Sequence, residues 1–204
     1  MINGKPTIEI PTDLLKAATL FAAKSTDVRL NFNAVWIEWR RRNVGIISTD
    51  GHRLFAGHFE LPVPDDECEP GSATIELSQV KIALTGYKGD TISFSFDPGT
   101  LKGTLGKLEV VGMDCDVPAW RNVVPKTVSG EVAHYNPSYV GDLAKASKVL
   151  LPKGGAESTV THQNGQKPAL VTFGSRGDVV AVLMPCRHKF DYDRTNSIAQ
   201  SIAA

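Results

Sequence analysis

Apolar and polar positions along the 204-residue chain follow one order three times over. Residues 7–10 read as a short strand. Pro11, Thr12 and Asp13 then open a helix that continues through LLKAATLFAAK (14–24), a run rich in good helix formers. Strand signals follow: 28–39 is crowded with Val, Phe, Trp and Ile, 44–48 is β-branched, and 54–61 alternates. The order recurs from Ser72, with a strand over 73–76, a short helix over 77–86 stopped by Gly86, strict alternation over 91–96, an Asp97-Pro98-Gly99 turn, and strands over 101–105 and 108–113. A third copy starts at Gly130. Residues 131–135 read as its leading strand, and Asn136-Pro137 pairs an N-cap with proline at the first helical position. A helix through SYVGDLAKASKVL follows, then strands over 159–162, 170–173 and 179–184, divided by turns at Asn164-Gly165 and Ser175-Arg176-Gly177.

Helices therefore open near Thr12, Leu77 and Asn136, roughly sixty residues apart, which is the mark of a repeated unit. The fold class expected is α+β, with three β-α-β-β-β units. A generic α+β protein with evenly spaced helices is the alternative. After Arg187 the pattern lapses, and a mobile tail is expected over 188–204.

Composition narrows the function classes. Twenty-two Lys and Arg balance twenty-two Asp and Glu, whereas a sequence-specific DNA binder of this size usually carries a basic excess. Neutrality still permits DNA contact if the charges are segregated on different surfaces. No apolar run reaches the length of a membrane span, and MINGKPTIEI lacks the pattern of a secretory leader. Three scattered cysteines, Cys68, Cys115 and Cys186, fit a reduced, cytoplasmic protein with neither metal nor cofactor.

The stretch Ile46-Ile47-Ser48-Thr49-Asp50-Gly51-His52-Arg53-Leu54 reads as strand, tight turn and strand. Asp50 beside His52, with His58 nearby, raises acid–base catalysis. A hairpin with a flanking polar pair explains the same residues, and no nucleophile elbow, phosphate loop or zinc-protease motif accompanies them. The string Thr-Asp-Gly-His-Arg-Leu closely resembles the signature of the bacterial replicative sliding clamp, the β subunit of DNA polymerase III. Other segments agree in the same order. Asp27-Val28-Arg29 lies upstream, and Val117-Pro118-Ala119-Trp120-Arg121-Asn122-Val123-Val124-Pro125 is similar to the family's interdomain linker. The run from Asn136 to Leu143 resembles the start of its last helix, and Val182-Leu183-Met184-Pro185-Cys186-Arg187 resembles its terminal strand.

The resemblance spans roughly residues 7–187. It implies a DNA-clamp fold in which 1–124 is a complete domain of two units and 125–187 half a domain, with no counterpart of the family's first domain. It also implies a non-enzymatic processivity factor that encircles duplex DNA and tethers a polymerase, clamp loader or repair protein through a peptide-binding cleft. Carried over position by position, the cleft is walled by Arg29, Phe32, Thr49, His52, Leu54, Pro125, Tyr139, Val182, Met184 and Arg187. Phe32 replaces the family's usual aliphatic residue, and several of these side chains are equally at home in a core. Helix lysines are the candidates for facing phosphates: Lys16 and Lys24 on the first helix, Lys81 and Lys88 on or just after the second, Lys145 and Lys148 on the third. Arg40-Arg41-Arg42 reads as an exposed hairpin turn. A family ring is lined by twelve helices, so three units per chain imply a homotetramer, with a trimer as runner-up. An adaptor or decoy that binds clamp partners without enclosing DNA remains the alternative function.

Overall fold

A computed structural model of the chain describes residues 7–24, 32–62, 69–151 and 159–186. Arg29, Arg187 and the tail 188–204 lie outside the described residues. Unit 1 comprises β1 (Ile8–Pro11), α1 (Thr12–Ala18), β2 (Ala34–Arg40), β3 (Asn43–Thr49) and β4 (Arg53–Glu60). Unit 2 comprises β5 (Gly71–Glu76), α2 (Leu77–Leu84), β6 (Thr91–Asp97), β7 (Lys102–Leu105) and β8 (Leu108–Val111). After a single 3₁₀ turn at Trp120–Asn122, unit 3 supplies α3 (Pro137–Leu150), β9 (Thr159–His162), β10 (Ala169–Phe173) and β11 (Arg176–Leu183).

Units 1 and 2 exchange their leading strands. β1 pairs antiparallel with β6, from Ile8↔Phe94 to Pro11↔Thr91, while β5 pairs with β2, from Gly71↔Trp39 to Glu76↔Ala34. The result is a four-stranded sheet, β1-β6-β7-β8, and a seven-stranded sheet, β5-β2-β3-β4-β11-β10-β9. Unit 3 joins the larger sheet by its last strand, because β11 pairs with β4 from Arg53↔Leu183 to Gly57↔Val179. Period-two patterning decides which side chains each face receives. Val35, Ile37, Phe55, Val179 and Ala181 enter the main core with the helices, and Trp36, Leu54, Ala56 and Val182 point to the opposite face. At the β6–β7 crossing a Cβ on Gly103 would meet Ser95 O at 2.1 Å, so only glycine fits there.

Three expectations need correction. The first helix ends at Ala18, not near residue 24. The Thr19 hydroxyl donates back to Lys16 O, Leu20 and Phe21 bond to carbonyls three residues earlier, and this tightening drops Phe21 into the core, 5.5 Å from the Phe55 ring. Lys24 is thus exposed beyond the helix and does not share a helix face with Lys16. Residues 131–135 form no strand. Units 1 and 2 give each other's leading strand a ladder, and unit 3 has no such partner among the described residues. Finally, β11 starts at Arg176, so the turn before it is confined to Gly174 and Ser175, with Gly174 at φ 51°.

Candidate functional site

The Thr49–Leu54 hairpin is held by its own side chains. Thr49 Oγ1 accepts from Gly51 N and donates to Arg53 O, and Asp50 Oδ1 accepts from both His52 N and Arg53 N. Gly51 takes the left-handed conformation at φ 84° that this turn demands. Asp50 Oδ2 also receives Arg53 Nε at 3.1 Å, which commits that carboxylate to the turn and its arginine.

Arg53 is the pivot between unit 1 and unit 3. Its side chain is 8% exposed, pairs with Asp142 on α3 as well as Asp50, and lies over the Tyr139 ring at 4.6 Å. Tyr139 in turn stacks on His52, with ring centroids 6.2 Å apart, and Met184 N donates to His52 O. Burial alone would raise the Asp142 carboxyl, but hydrogen bonds from Lys145 and Arg53 outweigh it and hold the group below its ordinary value. At the other end of the junction Arg176 clasps Asp178 with two bonds of 2.8 Å and reaches Asp13 on α1 and Leu150 O at the end of α3. The bonds from Arg176 lower Asp178. Two arginines thus fix α1 and α3 over the β4–β11 seam.

On the opposite face of the sheet lies a second, smaller cluster of Trp36, Ile47, Leu54, Ala56 and Val182, with Phe32, Val117, Trp120, Val124 and Val180 packed against it. The 117–125 linker therefore crosses the outside of the sheet and lays three apolar side chains on this cluster. Phe32 meets Trp36 edge-on at 6.3 Å. Leu54 and Val182 stand opposite each other across β4–β11 and are 4% and 2% exposed, while Met184 is 37% exposed. The indole nitrogens of both Trp36 and Trp120 are buried without a hydrogen-bond partner. Pro125 lines a neighbouring hollow of about 500 Å³ between the linker and the β9–β10 turn.

Of the expected cleft residues, then, His52, Tyr139 and Met184 meet at the hairpin, Thr49 belongs to that hairpin's frame, and Phe32, Leu54 and Val182 join the apolar cluster. Arg53, Asp142 and Arg176 were not singled out by sequence, although Arg53 sits inside the most distinctive motif. Trp36 was legible: alternation along β2 puts it on the same sheet face as Leu54. Among the expected phosphate-facing lysines, Lys81, Lys145 and Lys148 are exposed on α2 and α3, Lys16 is half-buried on α1, and Lys88 is exposed just after α2. Lys145 Nζ is bonded to Asp142 at 2.7 Å.

No family model matches the sequence, and no curated protein matches it. Solved structures do. The DNA polymerase III subunit beta of Pseudomonas aeruginosa superposes with a TM-score of 0.71 at 14% identity, over 90% of this chain and 66% of that one. The beta subunit of Thermotoga maritima gives 0.64 at 16% identity, over 90% and 66%. The sliding clamp of Bacillus subtilis gives 0.64 at 14%, over 90% and 65%. The chain has the sliding-clamp fold. It spans just under two thirds of the length of the solved clamps it matches. Among the described residues no helix is long and apolar enough to cross a membrane.

Proposed function

We propose that this chain is a DNA sliding clamp: a non-enzymatic, cytoplasmic processivity factor that encloses duplex DNA and holds a polymerase, clamp loader or repair protein through a short peptide. The observation that carries this reading is the junction of units 1 and 3. There the Thr49–Leu54 hairpin, the first turn of α3 and the end of β11 converge beside an apolar cluster covered by the linker. Such a site, with apolar anchor positions rimmed by His52, Tyr139 and Met184, suits an extended peptide with one or two large apolar side chains. Leu54 and Val182 are buried, so an incoming side chain reaches them by displacing Phe32 or Val124. In this proposal 1–124 acts as a full clamp domain and 125–187 as a half domain. Lys16, Lys81, Lys88, Lys145 and Lys148 face phosphates, with Lys24 contributing from beyond α1.

A peptide of the Gln-x-x-Leu-Phe type is expected to bind in the micromolar range. Calorimetry on Leu54→Ala and Met184→Ala tests the site: each should lose roughly 1–3 kcal/mol of binding, the usual cost of truncating an anchor. Unchanged affinity in both variants, with folding intact, removes the site from this junction. Retention on closed circular DNA but not on linear DNA tests enclosure. Peptide binding without such retention leaves an adaptor.

A further inference from the structure

Units 1 and 2 obey one pairing rule. The strand leading into each helix lies along the outer edge of the other unit's second strand, β1 on β6 and β5 on β2. In both cases the residue just before the N-cap, Ile10 or Ile75, stands opposite a buried residue near the start of that strand, Ile92 or Val35, and enters the main core.

Among the described residues, unit 3 possesses both halves of this joint and a counterpart for neither. Its leading segment occupies the place of β5. Cys186 N donates to His134 O just as Met113 N donates to Thr74 O, each acceptor lying two residues before its helix N-cap. Tyr135, one residue before the N-cap, packs on the main core as Ile10 and Ile75 do. Gly130 N and Glu131 O are tied to the β9–β10 turn through Gln163 O and Gly165 N, so the segment is anchored at both ends by its own unit. Among the described residues, 132–135 nevertheless join no ladder, and β9, the outermost strand of the seven-stranded sheet, is bonded to β10 alone. Two buried hydroxyls without partners mark the two halves of the joint: Tyr135 Oη on the leading segment and Thr159 Oγ1 on β9. Val132 on the segment is 73% exposed and Val160 on the edge is 44% exposed. An open edge strand carrying unmet polar groups and apolar side chains is a template for another strand.

We propose that the missing partner is a second copy of this chain. Residues 132–135 of each copy add antiparallel to the outer edge of β9 in the other, about a two-fold axis, and build one composite domain from two half domains. Tyr135 of one copy then stands opposite Thr159 of the other, as Ile75 stands opposite Val35, and both unpartnered hydroxyls arrive on the same inner face of the composite sheet. The inference deepens the clamp reading by naming the surface through which it would assemble, and its support is the pairing of units 1 and 2.

Opposed residues in an antiparallel pair lie roughly 4.5–5.5 Å apart at Cα, within disulfide reach. The full-length double variant Tyr135→Cys/Thr159→Cys should therefore give a covalent dimer on oxidation, and neither single variant should. In the unsubstituted chain the Tyr135 amide, which faces β9 of the other copy as Ile75 faces β2, should exchange on the order of 100-fold more slowly in the assembly than after dilution to monomer, whereas the Ala133 amide already donates to Gln163 Oε1 within the chain. Fast exchange at every concentration overturns the proposal, as does a folded double variant that never cross-links. A chain that fails these tests but binds the clamp-motif peptide and stays on circular DNA loses the exchange and keeps the clamp function. One that cross-links but binds neither does the reverse.

Discussion

Residue-level energetics turn on groups that sit where water does not reach. Arg53 is 8% exposed and neutralises Asp50 and Asp142 at once. Arg53→Ala leaves Asp142 to Lys145 and Asp50 to the turn's backbone amides, so the cost should stay at or below about 3 kcal/mol, read by denaturant unfolding. The acid limb of stability has a definite sign. Asp142 and Asp178 are held below the ordinary carboxylate value, so the unfolded chain takes up protons at a higher pH than the folded one. Their contribution is complete above about pH 4, the unfolded carboxylate range, and fades as pH falls through the lowered folded values. Asp142→Asn should flatten this limb in a series of melts below that pH. Trp36 is the opposite case. Its indole N–H is buried and unmet, a burden of about 1–3 kcal/mol, so Trp36→Phe should change stability far less than a core tryptophan truncation normally does.

Elements were legible wherever local pattern and tertiary partner agree. β6 alternates buried Ile92, Phe94 and Phe96 with half-exposed positions, and the sequence announces it. α3 carries its Asn136 cap and Pro137, and the cap is present as Ser138 N donating to Asn136 Oδ1 at 3.0 Å. Legibility fails where a distant partner decides. LLKAATLFAAK has the propensity for a long helix, yet α1 stops at Ala18 because Phe21 is needed in the core beside Phe55 and the Ser48 hydroxyl donates to Ala18 O. Residues 131–135 have the pattern of a strand, but a strand needs a neighbour, and the described residues offer none. The candidate site divides the same way. Its hairpin is written in six consecutive residues, whereas its two arginine clasps depend on Asp142, Asp13 and Leu150, remote in sequence from Arg53 and Arg176. The helix lysines give an element-scale test. Lys145 and Lys148 are exposed on α3, on the flank away from buried Leu143, Ala146 and Leu150. Reversing both to Glu should weaken duplex retention sharply and lower the log–log salt slope by about one unit for each phosphate no longer neutralised, with peptide binding unchanged. Sequence-dependent retention would contradict a clamp.

Whole-molecule behaviour follows from the parity of the parts. With equal numbers of basic and acidic residues, assembly has little net-charge repulsion to overcome, so the open edges decide it. Under the proposed clamp function, three units per chain set against a ring of twelve helices would call for four chains. The two-fold exchange of leading strands gives an independent reason for an even number. Each chain brings one leading segment and one open β9 edge, and reciprocal pairing satisfies them two chains at a time. A trimer leaves one chain with both halves of the joint exposed, the situation an edge strand must avoid. In the proposed ring two such pairs would close through the remaining ends, where β8 is the outer strand of the four-stranded sheet and Val111, 59% exposed, has its N–H and C=O bonded to the Gln79 side chain, which an incoming strand would displace. Last strand against last strand is already how units 1 and 3 meet, at β4 and β11. The expected particle is therefore a tetramer of 22.0 kDa chains, about 88 kDa by light scattering, that passes through a dimer but not a trimer as it is diluted. Because the two kinds of junction are distinct, one should weaken first, and the dimer that survives should be the one in which the Tyr135–Thr159 cysteine pair still cross-links. A folded monomer at micromolar concentration would remove the exchange and the ring together.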